Sequence, residues 1–280
     1  EASEHSSGMR KKERAVRRRG AIPRTTGQAG RRSVQKNDID SLRTYSSVTE
    51  GNVGMNPVPI FDRVAQLYHE MRPRYPRELF DDLFCLTSLR RGSRILEIGA
   101  GTGIATVELA QRGFRVVALE PSAEMASILK KNLKDHEAEV IVSSFEDWTP
   151  PAEKFDLVVS FTAFHWLNPK TRYRKVCDML SLSGYLAVIR YHHVAGGDTS
   201  FFHDAQKCYR KYKPGDAEFR LAEAAAVVSI APELNAGGLF HETITRNYLA
   251  EVTYNRADYE KLLMTYSDHF ALEEQKLSRL

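Results

Sequence analysis

The chain has 280 residues, of which 42% are apolar and 27% charged, a composition that supports a sizeable core and excludes disorder throughout. No apolar run of about 18 residues occurs, and the start of the chain lacks the apolar stretch of a secretory signal, so neither a membrane span nor export is expected. The net charge of +4 is concentrated in residues 1–36. There Arg10, Lys11, Lys12, Arg14, Arg17, Arg18, Arg19, Arg24, Arg31, Arg32 and Lys36 face only Glu1, Glu4 and Glu13. A cytoplasmic protein is expected, with an organelle-targeting role for the Arg-rich stretch as the alternative. Affinity for nucleic acid is a further option, weakened by the absence of any aromatic residue before Tyr45 to stack on bases. Cys85, Cys177 and Cys208 are far apart and form no C-x-x-C spacing, so they read as reduced thiols and no metal site is expected.

Gly27, Gly30, Gly51, Gly54, Pro57 and Pro59 punctuate a polar stretch, and ordered structure is expected to begin near Ile60. Residues 1–57 are read as a basic disordered tail and 58–280 as one domain, with a core at 92–191 and an appendage at 192–280. Phe61, Val64, Ala65, Leu67 and Tyr68 recur at helical spacing, and after Pro73 and Pro76 so do Leu79, Phe80, Leu83 and Phe84. A β-α rhythm follows. Strands are predicted at 94–99, 115–120, 139–142, 155–161 and 184–190. Helices are predicted from Thr102 to Arg112, from Ser122 as N-cap to Asp135, and from Pro169 to Leu180. Near-continuous apolar strands joined by helices imply a doubly wound, mostly parallel, Rossmann-like α/β sheet. Beyond Tyr191, helices are predicted at 201–211, 218–228 and 256–265, with an alternating strand from His241 to Tyr254.

Ligands of an open α/β sheet bind outside the carboxyl ends of its strands. The first strand ends in Glu97-Ile-Gly99-Ala100-Gly101-Thr102-Gly103, a turn whose glycines let backbone approach a ligand. The dinucleotide fingerprint wants a small residue where Ile104 stands, which argues against a nicotinamide oxidoreductase. Glu97 would place a negative charge at the loop, unfavourable beside a pyrophosphate but suited to ammonium and sulfonium groups. Opposite charges near 4 Å are worth about 4 kcal/mol at an effective dielectric of about 20. Glu120, at the end of the second strand, can accept hydrogen bonds from both hydroxyls of a ribose.

The Glu-x-Gly-x-Gly-x-Gly loop with Glu120 closely resembles class I S-adenosylmethionine-dependent methyltransferases, over about Phe61 to Tyr191. The resemblance implies S-adenosylmethionine as cofactor. It places Glu97, Gly99, Ala100, Gly101, Thr102, Gly103, Glu120 and Pro121 around it, with Met125 and the Ser144-Phe145-Glu146-Asp147-Trp148 segment beside the adenine. Ser144 stands where an acid is more common. Met125, Phe145 and Trp148 could equally be core. The Phe161-Thr-Ala-Phe-His165-Trp166 segment is similar to the His-Trp segment of a subgroup that includes trans-aconitate and juvenile-hormone-acid methyltransferases. It makes His165 the candidate catalytic residue, against a structural histidine, with Phe161 and Trp166 as pocket walls. Tyr68 is assigned to the cofactor, and Arg72 and Tyr75 to the acceptor. The acceptor is expected to be a small molecule methylated on a carboxylate or hydroxyl oxygen. A nucleic-acid or protein methyltransferase using the basic tail, or a non-catalytic binding protein, is the alternative; the Asn-Pro-Pro-Tyr and Pro-Cys motifs of such enzymes are absent from 161–167.

Overall fold

The computed structural model describes residues 58–212, 221–266 and His269. The expected tail 1–57, the first residues of the helix expected at 218–228, and the polar end after 266, apart from His269, lie outside the described residues. Two lead-in helices, α1 (Val58–Met71) and α2 (Arg77–Thr87), are separated by the stretch that holds Pro73 and Pro76, because proline removes a helix donor and clashes with the preceding turn.

Five strands follow: β1 (Arg94–Ile98), β2 (Arg115–Glu120), β3 (Ala138–Val142), β4 (Phe155–Phe161) and β5 (Leu180–Ile189). All pairings are parallel, in the order β3-β2-β1-β4-β5. The order reverses between β1 and β4, which is where such sheets hold ligands. α3 (Thr106–Gln111), α4 (Ala123–Asn132) and α5 (Arg172–Met179) cover the faces. Alternate strand residues feed two cores: Ile95, Val116, Ala118, Leu157 and Val159 meet Phe80, Leu109 and Leu129, while Leu96, Ile98, Val117, Leu119 and Val158 meet Phe164, Val176 and Met179. Burial on both faces is why these strands read as unbroken apolar runs. Ser122 caps α4 as expected, its Oγ accepting from Met125 N at 3.1 Å.

Several expected boundaries shift for local reasons. The helix expected from Thr102 begins only at Thr106, because Gly101 and Gly103 hold φ of +58° and +89°, which a right-handed helix excludes. The helix expected from Pro169 begins at Arg172, since Asn168 first closes a turn, its Oδ1 accepting from Lys170 N at 3.0 Å. β5 starts at Leu180 rather than Gly184. The pairing jumps from Phe155 with Leu180 to Leu157 with Tyr185, so residues 181–184 bulge out of register.

Beyond β5 lie α6 (Thr199–Tyr212), α7 (Ala231–Ala236) and α8 (Arg256–Leu263). Within the described part of the expected 218–228 helix there is only one 3-10 turn, Ala224–Ala226. Ala222 instead accepts from Ala195 N at 2.8 Å in an isolated bridge, which keeps the chain extended. The strand expected from His241 to Tyr254 pairs with nothing among the described residues. Its tyrosines are anchored singly, Tyr248 Oη donating to Asp82 Oδ2 at 2.7 Å and Tyr254 Oη to the Met71 carbonyl at 3.1 Å. No helix of the described residues is long and apolar enough to cross a membrane.

Candidate active site

Each glycine of the loop after β1 has its own cause. A Cβ on Gly99 would lie 2.4 Å from that of Ala163, and one on Gly103 2.7 Å from Leu129 Cδ1, so both positions are closed by packing. A Cβ on Gly101 would meet only Met125 Sδ, at an ordinary 3.9 Å, so its positive φ of +58° rather than packing is what favours glycine there. Glu120 Oε2 accepts from Gly101 N at 2.7 Å and Oε1 from Ser122 N at 2.9 Å. Burial raises the Glu120 carboxyl above its usual range despite these two hydrogen bonds, which act the other way. Loop and carboxylate are thus locked together, leaving further lone pairs on Glu120 for a ligand.

Glu97 departs from expectation. It is only 1% exposed, its Oε2 has no hydrogen-bond partner, and burial pushes its pKa up to about 8, with the nearby Glu120 adding to the rise and Thr106 opposing it. Without a cation nearby it is therefore mostly protonated at neutral pH, not a standing negative charge. A buried acid of this kind charges when a cation comes close.

The end of β4 carries the acceptor-side candidates. Thr162, a β-branched residue, holds φ of +57°, a strained conformation of the kind that clusters at functional sites. It is fixed on two sides: its N donates to the Ile189 carbonyl at 2.8 Å, and its Oγ1 shares a hydrogen bond with Tyr75 Oη at 2.9 Å. The Tyr75 ring lies 4.8 Å from Phe161 and 6.5 Å from Phe80, and its burial raises its hydroxyl pKa. His165 sits in the 3-10 turn Phe164–Trp166, its ring centroid 4.9 Å from that of Trp166. Although the residue as a whole is exposed, its imidazole is crowded, and this desolvation followed by the charges of Arg190 and Arg172 lowers its pKa to about 4. The ring is neutral at physiological pH.

α1 closes over this edge. Phe61 meets Trp166 edge-on at 6.5 Å and Tyr68 at 5.9 Å. Two contacts that the sequence did not reveal tie α1 to the site, Ser122 Oγ donating to Asp62 Oδ1 at 2.5 Å and His69 Nδ1 sharing a hydrogen bond with Thr102 Oγ1 at 2.9 Å, and a third ties α4 to the loop, Asn132 donating to the Thr102 carbonyl at 2.8 Å. Arg72, expected at the acceptor, is engaged elsewhere. Its Nε and a terminal nitrogen donate to Thr265 Oγ1 at 2.9 Å and the Thr265 carbonyl at 2.6 Å, and its guanidinium lies over the rings of Tyr68 and Tyr266. It ties the end of α1 to the end of α8.

The segment expected at the adenine is a braced loop. Ser144 Oγ donates to Asp147 Oδ2 at 2.7 Å and accepts from Asp147 N at 3.0 Å, so it closes its own turn. Glu146 accepts from Asn168 N at 2.9 Å. Phe145 is 4% and Met125 3% exposed, so both belong to the core, while Pro121, beside Glu120, is half-buried. Lys175, unremarked in the sequence, reaches from α5 and donates to the carbonyls of Phe145, Glu146 and Trp148 at 2.5, 2.9 and 2.8 Å. A hollow of about 430 Å³ lined by Arg94, Arg115 and His136 lies at the opposite, amino ends of the strands and takes no part in this constellation. Among the described residues no group of His, Cys, Asp and Glu could hold a metal ion, and the three cysteines are free.

Residues 95–184 match the family described as methyltransferase domain. Over this segment the chain is similar to a methyltransferase domain. An uncharacterized methyltransferase of Mycobacterium tuberculosis is 33% identical over 129 residues, covering 46% of this chain and 51% of its own. A probable S-adenosylmethionine-dependent methyltransferase of Saccharomyces cerevisiae is 30% identical over 152 residues, covering 52% and 50%. The chain thus spans about half the length of the curated relatives it matches. Among solved structures, the CcbJ methyltransferase of Streptomyces caelestis is 21% identical, with a TM-score of 0.42 over 48% of this chain and 58% of its own.

Proposed function

We propose that the chain transfers a methyl group from S-adenosylmethionine to an oxygen of a small-molecule acceptor. The observation that carries this reading is the pairing of a buried Glu97, whose Oε2 has no hydrogen-bond partner, with a glycine loop bound to Glu120 at the β1–β4 switch point. When bound there, S-adenosylmethionine supplies a methyl group activated by a sulfonium. The residues present fit it: Gly101 carries no side chain to block a ligand, Glu120 retains lone pairs for ribose hydroxyls, and Glu97 is a latent counter-charge for a cationic ligand.

Methyl transfer needs an aligned acceptor more than an acid or base. The packing of Ala163 on Gly99 holds the Thr162–Trp166 segment against the loop, so an acceptor bound by that segment stands beside the cofactor site. His165 is neutral and too weakly basic to take a proton readily from a hydroxyl, which suits it to orienting an acceptor by hydrogen bonding. Phe61 and Trp166, in edge-on contact, place apolar surface beside that segment. The decisive test is calorimetry: S-adenosylmethionine and S-adenosylhomocysteine bind, and NAD and NADP do not. Equal or tighter binding of a nicotinamide dinucleotide would overturn the reading.

A further inference from the structure

We propose that Arg190 anchors an anionic oxygen group, a carboxylate or a phosphate ester, on the acceptor; this rests on the methyltransferase reading above. Arg190 follows the last residue of β5, Ile189, which pairs with Phe161 and accepts from Thr162 N at 2.8 Å. It therefore emerges beside the strained start of the Thr162–Trp166 segment, on the same edge of the sheet as the glycine loop.

Its surroundings carry a surplus of positive charge. Arg172, Arg190 and Glu233 all lie within electrostatic reach of one another. Arg172 is already matched, forming an ion pair with Glu233 and donating to the Phe164 carbonyl at 3.2 Å. Arg190 makes no hydrogen bond or ion pair among the described residues. Two guanidiniums thus share one carboxylate, and that carboxylate is committed to Arg172. Burial and the Arg190 charge lower the pKa of both His165 and His192, and neither imidazole offers Arg190 a negative partner. Hydrogen-bonding groups are unbalanced in the same direction. Arg172 Nε, a group that can only donate, is buried without a partner, so donors exceed acceptors here.

A half-buried guanidinium that has lost water and gained no acceptor is costly. An anionic oxygen group offers what is missing: two oxygens for a bidentate, charge-assisted contact and one negative charge to cancel the surplus. The cluster is also on the acceptor side, since the Arg190 charge is felt directly by His165.

The test uses the full chain with methyl-labelled S-adenosylmethionine and three sets of acceptors: short-chain carboxylic acids, phosphate monoesters, and the alcohols and amides of the same skeletons. At least tenfold more label is expected in one of the two anionic sets than in the neutral set, and the better anionic set identifies the group. For the best anionic acceptor, Arg190→Met raises KM at least tenfold and Arg190→Lys raises it less. Titration of that acceptor into protein saturated with S-adenosylhomocysteine shows the same loss. Affinity for S-adenosylhomocysteine stays within twofold and the thermal midpoint is held, which separates recognition from misfolding. Preferential labelling of neutral skeletons, labelling of none of the anionic ones, or an unchanged KM in Arg190→Met overturns the proposal. Failure of the wild-type protein to bind S-adenosylhomocysteine would instead overturn the methyltransferase reading.

Discussion

Cofactor affinity should depend on pH through Glu97, and the size of the effect follows from its burial. With a pKa of about 8, Glu97 is ionised in roughly one molecule in ten at pH 7 and one in a hundred at pH 6. A cationic ligand needs the ionised form, so each pH unit below 8 costs about 1.4 kcal/mol, or tenfold in affinity, until the lower pKa of the bound state is reached. S-adenosylmethionine affinity should therefore rise about tenfold per unit toward pH 8 and flatten above it. The ligand's own amino group also titrates near 8. The quantity to follow is thus the ratio of wild-type to Glu97→Gln dissociation constants, measured by calorimetry across this range. Proton release on binding, read from buffers of different ionisation enthalpy, gives an independent check. The sign for stability is opposite. Because the folded pKa exceeds the unfolded 4.5, the folded chain holds a proton the unfolded chain has lost, so this residue lowers stability as pH rises from about 4.5 to 8. A wild-type to Glu97→Gln affinity ratio that does not change with pH would refute the reasoning.

Glu120→Ala removes the acceptor of the Gly101 and Ser122 amides; stability should fall by about 1 to 3 kcal/mol for each donor left buried and unpaired, and cofactor affinity at least tenfold, read by thermal melting and calorimetry. Lys175→Met removes three hydrogen bonds to the 145–148 loop while keeping an apolar stem, and should weaken cofactor binding several-fold and lower the thermal midpoint by about 2 to 4 °C per kcal/mol lost. An unchanged cofactor affinity would make Lys175 a purely structural brace. His165→Ala should leave cofactor affinity within a few-fold while lowering turnover. Loss of binding in a folded variant, or normal turnover, would make His165 a packing residue.

What could be read from the sequence was what local pattern determines. β2 and β4 have the expected bounds, 115–120 and 155–161, because the apolar residues at their centres, Val116 to Leu119 and Leu157 to Val159, are buried on both faces of a parallel sheet. The glycine loop, Glu97 and Glu120 were visible because backbone that turns at positive φ leaves glycine in the sequence, and because strand ends place their side chains at the ligand edge. The alternation of 241–254 misled, since a two-residue period arises equally when tyrosines are anchored one by one.

The residues that were missed share one property: each acts through a partner remote in sequence. Asp62 meets Ser122 and His69 meets Thr102 across 60 and 33 residues, and no spacing rule reaches that far. Arg72 shows the converse case. An arginine beside an aromatic-rich segment reads as a ligand contact, yet Thr265, 193 residues away, claims two of its nitrogens. Arg190 closes the strand predicted at 184–190, and nothing in that apolar run marks it out. Its difference from Arg72 lies wholly in the third dimension. One guanidinium finds its acceptors within the fold and the other does not, and an unmatched half-buried cation at the ligand edge implies that its acceptor comes from outside. The division of charge between Arg172, Arg190 and Glu233 is therefore a statement about the acceptor that neither the family match nor the strand pattern contains.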